Sequence, residues 1–115
     1  MSRRVYLDAS ALVKLVLPET ESDALLSYLG ADATPVSSVV AEVEVARAAR
    51  FAGARSRVAK RVEAVIESCE LVELDAATRA VAATADPPGL RSLDAIHLAS
   101  ALAVREVLDA FVTYD

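Results

Sequence analysis

Cysteine and aromatic residues are scarce in this chain of 115 residues. It contains one cysteine, no tryptophan, three tyrosines and two phenylalanines, although 55% of its residues are hydrophobic. The lone thiol, Cys69, excludes an internal disulfide, and no second thiol or histidine stands near it to indicate a zinc site. We therefore expect an aliphatic core in which Cys69 is packed and unreactive.

Long hydrophobic runs are also missing. The longest stretch without Asp, Glu, Lys or Arg covers residues 95–104, whereas a membrane-spanning helix needs about 20 residues. Asp8 interrupts the first apolar run too early for a signal peptide, whose apolar region has roughly 7–15 residues. The sequence therefore predicts a cytoplasmic protein without membrane contact, folded as one domain over residues 1–115.

The charge balance is acidic, with a net charge of −5. This excludes the simple kind of nucleic-acid binder that is basic throughout. Residues 47–61 nevertheless contain no acid and six bases, namely Arg47, Arg50, Arg55, Arg57, Lys60 and Arg61. This basic window is either an RNA-binding surface or an ordinary solvated helix face. No group of aromatic residues indicates a platform for stacking bases.

Short apolar segments alternate with longer helical ones. Strands are predicted at residues 5–8, 35–38, 70–74 and 110–113, and helices at residues 9–17, 20–29, 39–52, 55–68, 76–85 and 93–107. Thr20, Asp75 and Ser92 are predicted to cap the helices that follow them. Such alternation requires crossover connections, and it predicts an α/β fold with a mostly parallel central sheet between two layers of helices.

Three acids occupy positions where this fold places ligands. Asp8 follows the first predicted strand and Asp115 the last, and parallel sheets bind ligands at the carboxyl ends of their strands. Asp94 begins an apolar helix, where a lone buried carboxylate would be costly. Each acid could instead be only a helix cap or a partner of the helix dipole. Their coincidence favours a shared site.

Two further acids lie within one predicted helix. Glu42 and Glu44 are separated by about 200° of rotation, so only one of them can face a given site. The apolar pattern around them does not decide which. Clustered acids without matching histidines or cysteines indicate an all-oxygen site for Mg²⁺ or Mn²⁺, which promotes phosphoryl chemistry. Because such carboxylates repel each other, replacing one by its amide should leave the fold intact or slightly more stable.

Four segments make the sequence recognisable. They are VYLDASALVKL near the start, SSVVAEVEVARA from Ser37, LRSLDAIHLASAL from Leu90 and FVTYD at the end. In this order and spacing they resemble the PIN-domain ribonucleases and, within these, the VapC toxins of bacterial toxin–antitoxin pairs. The resemblance implies a PIN-like three-layer α/β/α sandwich that hydrolyses RNA phosphodiesters by metal-activated water, leaving a 3′-hydroxyl and a 5′-phosphate.

The resemblance also implies roles for individual residues. The residues predicted to bind the metal and act in catalysis are Asp8, Glu44, Asp94 and Asp115, with Glu42 ranked second to Glu44. Ser10 would hold a metal-bound water or a phosphate oxygen, or else cap a helix. His97 is interpreted as a structural core histidine in preference to a general acid or base, and Arg91 as an RNA contact or the partner of an acid. The phosphate contacts are assigned to Arg47, Arg50, Arg55 and Arg57.

The same resemblance predicts binding partners and shows one difference from the family. An RNA substrate, a cognate VapB-like antitoxin and a homodimer are expected, with the helices at 20–29 and 39–52 offering apolar contact surfaces. Family members usually continue beyond the last acid, so a short C-terminal helix and strand are expected to be lacking, which makes Asp115 the least secure ligand.

The alternative function is that of a catalytically silent PIN-like module that binds protein or RNA. A haloacid-dehalogenase-type phosphatase is disfavoured because it needs a second acid where Ser10 stands.

Overall fold

Parallel strands form the centre of the fold. In the computed structural model, which describes residues 3–53 and 55–115, the sheet has four strands in the order β3-β2-β1-β4. The strands are β1 (Arg3–Leu7), β2 (Ala33–Ser38), β3 (Glu70–Val72) and β4 (Ala110–Val112). All three neighbouring pairs run parallel, so every strand delivers its carboxyl end to the same edge of the sheet.

Helices cover both faces of this sheet. They are α1 (Ala9–Val16), α2 (Ser22–Leu29), α3 (Val40–Phe51), α4 (Ser56–Ser68), α5 (Ala76–Ala83) and α6 (Ser92–Ala103). The first four pack with one another on one face, and α5 and α6 pair on the other, where α6 contacts β2 and β3. The predicted α/β/α sandwich is confirmed. Among the described residues, no helix has the length and apolar character needed to cross a membrane.

The side chains of β1 alternate between the two cores. Val5 and Leu7 enter the larger aliphatic cluster with the α1–α4 layer, whereas Tyr6 packs on the opposite side against Val36 and Ala101. Val5, Tyr6 and Leu7 are all fully buried. This alternation has a period of two residues, and it places one aromatic hydroxyl beneath α6, two residues before Asp8.

Two of the three predicted helix caps are wrong. Ser22 is already helical, and its hydroxyl accepts from the backbone N–H of Glu19 and donates to the carbonyl of Leu17, so the polar contacts at this end lie in the preceding loop and not at Thr20. Ser92 is likewise the first residue of α6 and not its cap, and α6 ends at Ala103, earlier than predicted. The Asp75 cap is confirmed, because its carboxylate accepts from the N–H of Thr78 at 2.8 Å.

Cys69 is expected to resist thiol reagents in the folded protein. Burial raises the pKa of this thiol to about 11, and its sulfur lies 3.3 Å from the carbonyl oxygen of Val65. At pH 8 only about one thiol in a thousand would be ionised, against roughly a quarter for an ordinary cysteine of pKa about 8.5. Labelling by a disulfide reagent at pH 8 should therefore be far slower than in urea. Equal rates in both conditions would contradict the packed environment.

Candidate active site

Asp8 stands at the carboxyl end of β1 and begins α1. Its Oδ1 accepts from the N–H of Ala11 at 3.1 Å and from the hydroxyl of Ser10 at 2.6 Å, while Oδ2 accepts from the hydroxyl of Thr113 at 2.6 Å. The residue is 5% exposed. Asp8 is therefore both the N-cap of α1 and a carboxylate held in one orientation by two hydroxyl groups.

Thr113 is the residue of the C-terminal strand that reaches Asp8. Leu7 is paired with Val112 in the sheet, so the next position on each strand brings Thr113 opposite Asp8. Asp115 lies two residues further along and is exposed. Its backbone N–H donates to Thr113 Oγ1 at 3.2 Å. The sequence analysis overlooked Thr113, and only the register of the two strands reveals it.

Ser10 belongs to the same network. Its hydroxyl donates to Asp8 and accepts from the backbone N–H of Tyr114 at 2.9 Å. It does not cap α1, because Asp8 already does so. Residues 113–115 are thus linked to Asp8 by hydrogen bonds through Ser10 and Thr113.

A second hydrogen-bond network holds the half-buried Glu44. Its Oε1 lies 2.6 Å from Nε2 of His97, and Nδ1 of the same ring lies 2.7 Å from the hydroxyl of Tyr6. Burial raises the pKa of Tyr6, so its hydroxyl keeps its proton and can donate to Nδ1. The remaining ring N–H then donates to the glutamate. His97 is 2% exposed and occupies the hydrogen-bonded core position that the sequence predicted for it.

Tyr6 belongs to the network of Glu44 and precedes Asp8 by two residues along the chain. Burial is the main cause of its raised pKa, and the negative charges of Asp8 and Glu44 raise that pKa further. Tyr6 was overlooked in the sequence analysis. The signal that reveals it is the two-residue period of a strand, which turns Tyr6 and Asp8 to the same side.

The other candidate residues are placed less tightly. Glu42 is exposed in the first turn of α3, on the side away from Glu44. Asp94 is half-buried in the first turn of α6, three residues and about one helical turn before His97. Arg91 is exposed at the N-cap position of α6, and within the described residues its side chain pairs with no acid.

The carboxylates have the right chemistry for a hard divalent cation. Asp8, Glu44 and Asp94 offer oxygen atoms of the kind that Mg²⁺ and Mn²⁺ prefer. In residues 3–53 and 55–115, however, no three Asp, Glu, His or Cys side chains are placed to bind one ion together. The donor types fit the metal, and the assignment of the four acids as ligands stays a prediction.

A basic surface follows the site along α3 and α4. Arg47, Arg50, Arg55 and Arg57 are all exposed. In the described part of the chain none of these four forms an ion pair with an acid. Arg61 differs, because its guanidinium donates to the carbonyl of Val16 and ties α4 to α1. The absence of acidic partners leaves the four arginines available to bind an anion.

Comparison with known proteins gives consistent matches. The family model described as PIN domain matches residues 5–115. The chain is 45% identical over 116 residues to Ribonuclease VapC35 of Mycobacterium tuberculosis, covering 96% of this chain and 84% of that protein. It is 41% identical over 111 residues to Ribonuclease VapC46 and 35% identical over 115 residues to Ribonuclease VapC47, from the same species and with the same coverage.

Proposed function

Because the chain belongs to the PIN domain family and to its VapC members, we propose that it is a metal-dependent endoribonuclease and the toxin of a type II toxin–antitoxin pair. The observation that carries the proposal is the pair of carboxylates held by side-chain hydrogen bonds, with Asp8 buried at the carboxyl end of β1 and Glu44 half-buried on α3. Relatives of 35–45% identity named as ribonucleases support the same activity.

We propose the following roles for the residues of the site. Asp8, Glu44 and Asp94 would hold Mg²⁺ or Mn²⁺, with Asp115 as a further ligand. When bound, such a cation supplies an activated water and stabilises negative charge on the phosphate. Ser10 and Thr113 fix the Asp8 carboxylate, and His97 fixes Glu44.

Phosphate binding is assigned to the basic surface. Arg47, Arg50, Arg55 and Arg57 would contact the RNA backbone beside the acidic site, which gives affinity without choice of sequence. Arg91 at the start of α6 would add a further contact.

A protein that inhibits the nuclease would bind at the same carboxylates. We propose a VapB-like antitoxin that inserts an arginine or lysine between the carboxylates and anchors itself by apolar residues. The exposed apolar side chains of α2 and α3, among them Leu26 and Val43, offer surface for such anchors or for a homodimer.

The purified protein should cleave unstructured RNA when Mg²⁺ or Mn²⁺ is present and stop when the metal is chelated. End-labelling of the products should show a 5′-phosphate and a 3′-hydroxyl. In cells, expression of the chain should arrest growth, and expression of the Asp8→Asn variant should not. RNA binding without cleavage in either metal, together with equal toxicity of the two versions, would instead identify a catalytically silent binding module.

A further inference from the structure

Phe51 is the most exposed of the large hydrophobic side chains, at 84% of its surface. It is the last residue of α3. The chain then reverses at Gly53, whose φ of 81° suits glycine. Single exposed apolar residues are common. Phe51 is unusual in its position, because it lies within the basic window between Arg50 and Arg55.

The periodicity of α3 connects Phe51 with the candidate active site. At 100° per residue, Glu44, Arg47 and Phe51 fall within about 60° of one another on the helix surface. The buried residues Ala41 and Val45 lie to one side of this stripe. With a rise of 1.5 Å per residue, Phe51 stands about 10 Å from Glu44 along the helix axis. A strand of RNA leaving the carboxylates along this stripe would reach the ring.

A groove occupies the first part of that path. It is open to solvent, has a volume of about 530 Å³ and is lined by Val40, Val43, Glu44, Arg47 and Leu93. Val43 and Leu93 are 61% and 47% exposed, so the lining combines accessible apolar side chains with one carboxylate and one guanidinium. Its volume is within the range of sites that bind small ligands. Glu44, one of the proposed metal ligands, lines the groove, so the groove adjoins the proposed metal site.

The charges around the groove and Phe51 favour one class of occupant. Single-stranded RNA combines a polyanionic backbone with flat bases that stack on aromatic rings. Arg47, Arg50, Arg55 and Arg57 match that backbone, and Phe51 and the apolar walls match the bases. A second copy of this chain that docked through the four arginines and Phe51 would bring like charges together, so this part of α3 favours RNA over the homodimer contact considered above.

We propose that the groove and Phe51 form an exit path for single-stranded RNA, with one base held between Val43 and Leu93 and a later base stacked on the Phe51 ring. The proposal rests on the ribonuclease function proposed above, and it adds a structural reason for selecting unpaired RNA. Bases within a duplex are already stacked on their neighbours and cannot lie on the ring.

Binding of a single-stranded RNA oligomer in chelator, where no cleavage occurs, tests the proposal. Phe51→Ala should weaken binding about 5- to 150-fold, which is the usual loss for one stacked base. The slope of affinity against salt should not change, because stacking neutralises no phosphate. Arg50→Gln should instead lower that slope by about 0.7. Val81→Ala, which removes a 45% exposed apolar side chain on α5, should have no effect on binding.

Two further measurements separate stacking from other causes. The affinity for double-stranded RNA should be the same for Phe51→Ala and the unaltered protein. Because the sequence has no tryptophan, Phe51→Trp introduces a single fluorescent reporter, which should retain binding and be quenched by single-stranded RNA. Val81→Trp serves as its matched control and should not be quenched.

Unchanged single-stranded RNA affinity in Phe51→Ala would overturn the proposal. If that variant also converted a dimer into a monomer in sedimentation, the surface would be an interface between copies. Failure of the ribonuclease function is distinguishable from this result. It would appear as absence of cleavage in Mg²⁺ or Mn²⁺ while the Phe51-dependent binding remained.

Discussion

RNA cleavage is expected to fall by more than about 100-fold when Asp8, Glu44 or Asp94 is replaced by its amide. Changing residues that merely orient metal ligands costs about 10- to 100-fold, and loss of a ligand charge should cost more. The measurement is the rate of cleavage of one unstructured RNA by Asp8→Asn, Glu44→Gln and Asp94→Asn at saturating metal. Glu42→Gln is the matched control, because Glu42 is exposed on the same helix.

The stabilities of these variants should differ although their activities do not. The Asp8 carboxylate accepts two hydroxyl groups and one backbone N–H, and hydrogen bonds to a charged group are stronger than neutral ones by about 1 kcal/mol. Asp8→Asn should therefore lower the free energy of unfolding by about 1–2 kcal/mol. Asp94, with no side-chain partner among the described residues, should tolerate asparagine without loss. Urea denaturation measures both.

These contacts predict a different outcome for Asp8→Asn from the one expected from the sequence. A repelling cluster of acids predicted that every amide replacement would leave stability unchanged or higher. The hydroxyl groups of Ser10 and Thr113 compensate the charge of Asp8, so relief of repulsion is not the main effect there.

The activity of the two glutamate variants tests the assignment of the helical ligand. If Glu44→Gln were active and Glu42→Gln inactive, Glu42 would replace Glu44 as the predicted ligand.

The sheet and its functional edge could be predicted from local patterns. Strand-like segments that alternate with helices leave few topologies open, and an acid that follows a strand marks the carboxyl edge. The partner of Asp8 could not be predicted in this way. The sequence placed Asp115 at the end of the last strand, whereas the pairing of Leu7 with Val112 puts Thr113 there. Strand register depends on tertiary packing, which cannot be predicted from a local sequence pattern.

Phe51 shows the same limit in another form. The five aromatic residues of the chain are not grouped in the sequence. The sequence therefore did not predict a stacking surface, which is usually recognised from several aromatic residues together. The groove proposed to hold a base forms only where α3 and the start of α6 come together, and the exposure of Phe51 at the end of α3 is known only from the folded chain. Composition describes the whole chain, whereas binding depends on where a few side chains lie.

His97→Ala is expected to reduce both stability and activity, because this ring connects Tyr6 with Glu44. Removal of the ring leaves the buried Tyr6 hydroxyl without its acceptor, at a cost of about 1–3 kcal/mol in the free energy of unfolding. Tyr6→Phe removes that hydroxyl. The double variant Tyr6→Phe/His97→Ala should therefore recover part of the loss in urea denaturation, whereas additive losses would show that the two groups are independent.

The activity of His97 variants separates positioning from proton transfer. A glutamine at this place can present an N–H near the position of the ring Nε2 and keep its bond to Glu44, whereas alanine cannot. Cleavage by His97→Ala should fall about 10- to 100-fold, as for loss of a group that orients a ligand, and His97→Gln should retain most of the activity. A general acid or base would be lost equally in both variants. Equal inactivity in two folded proteins would therefore assign His97 to the chemistry itself, and a gap between them would assign it to holding Glu44.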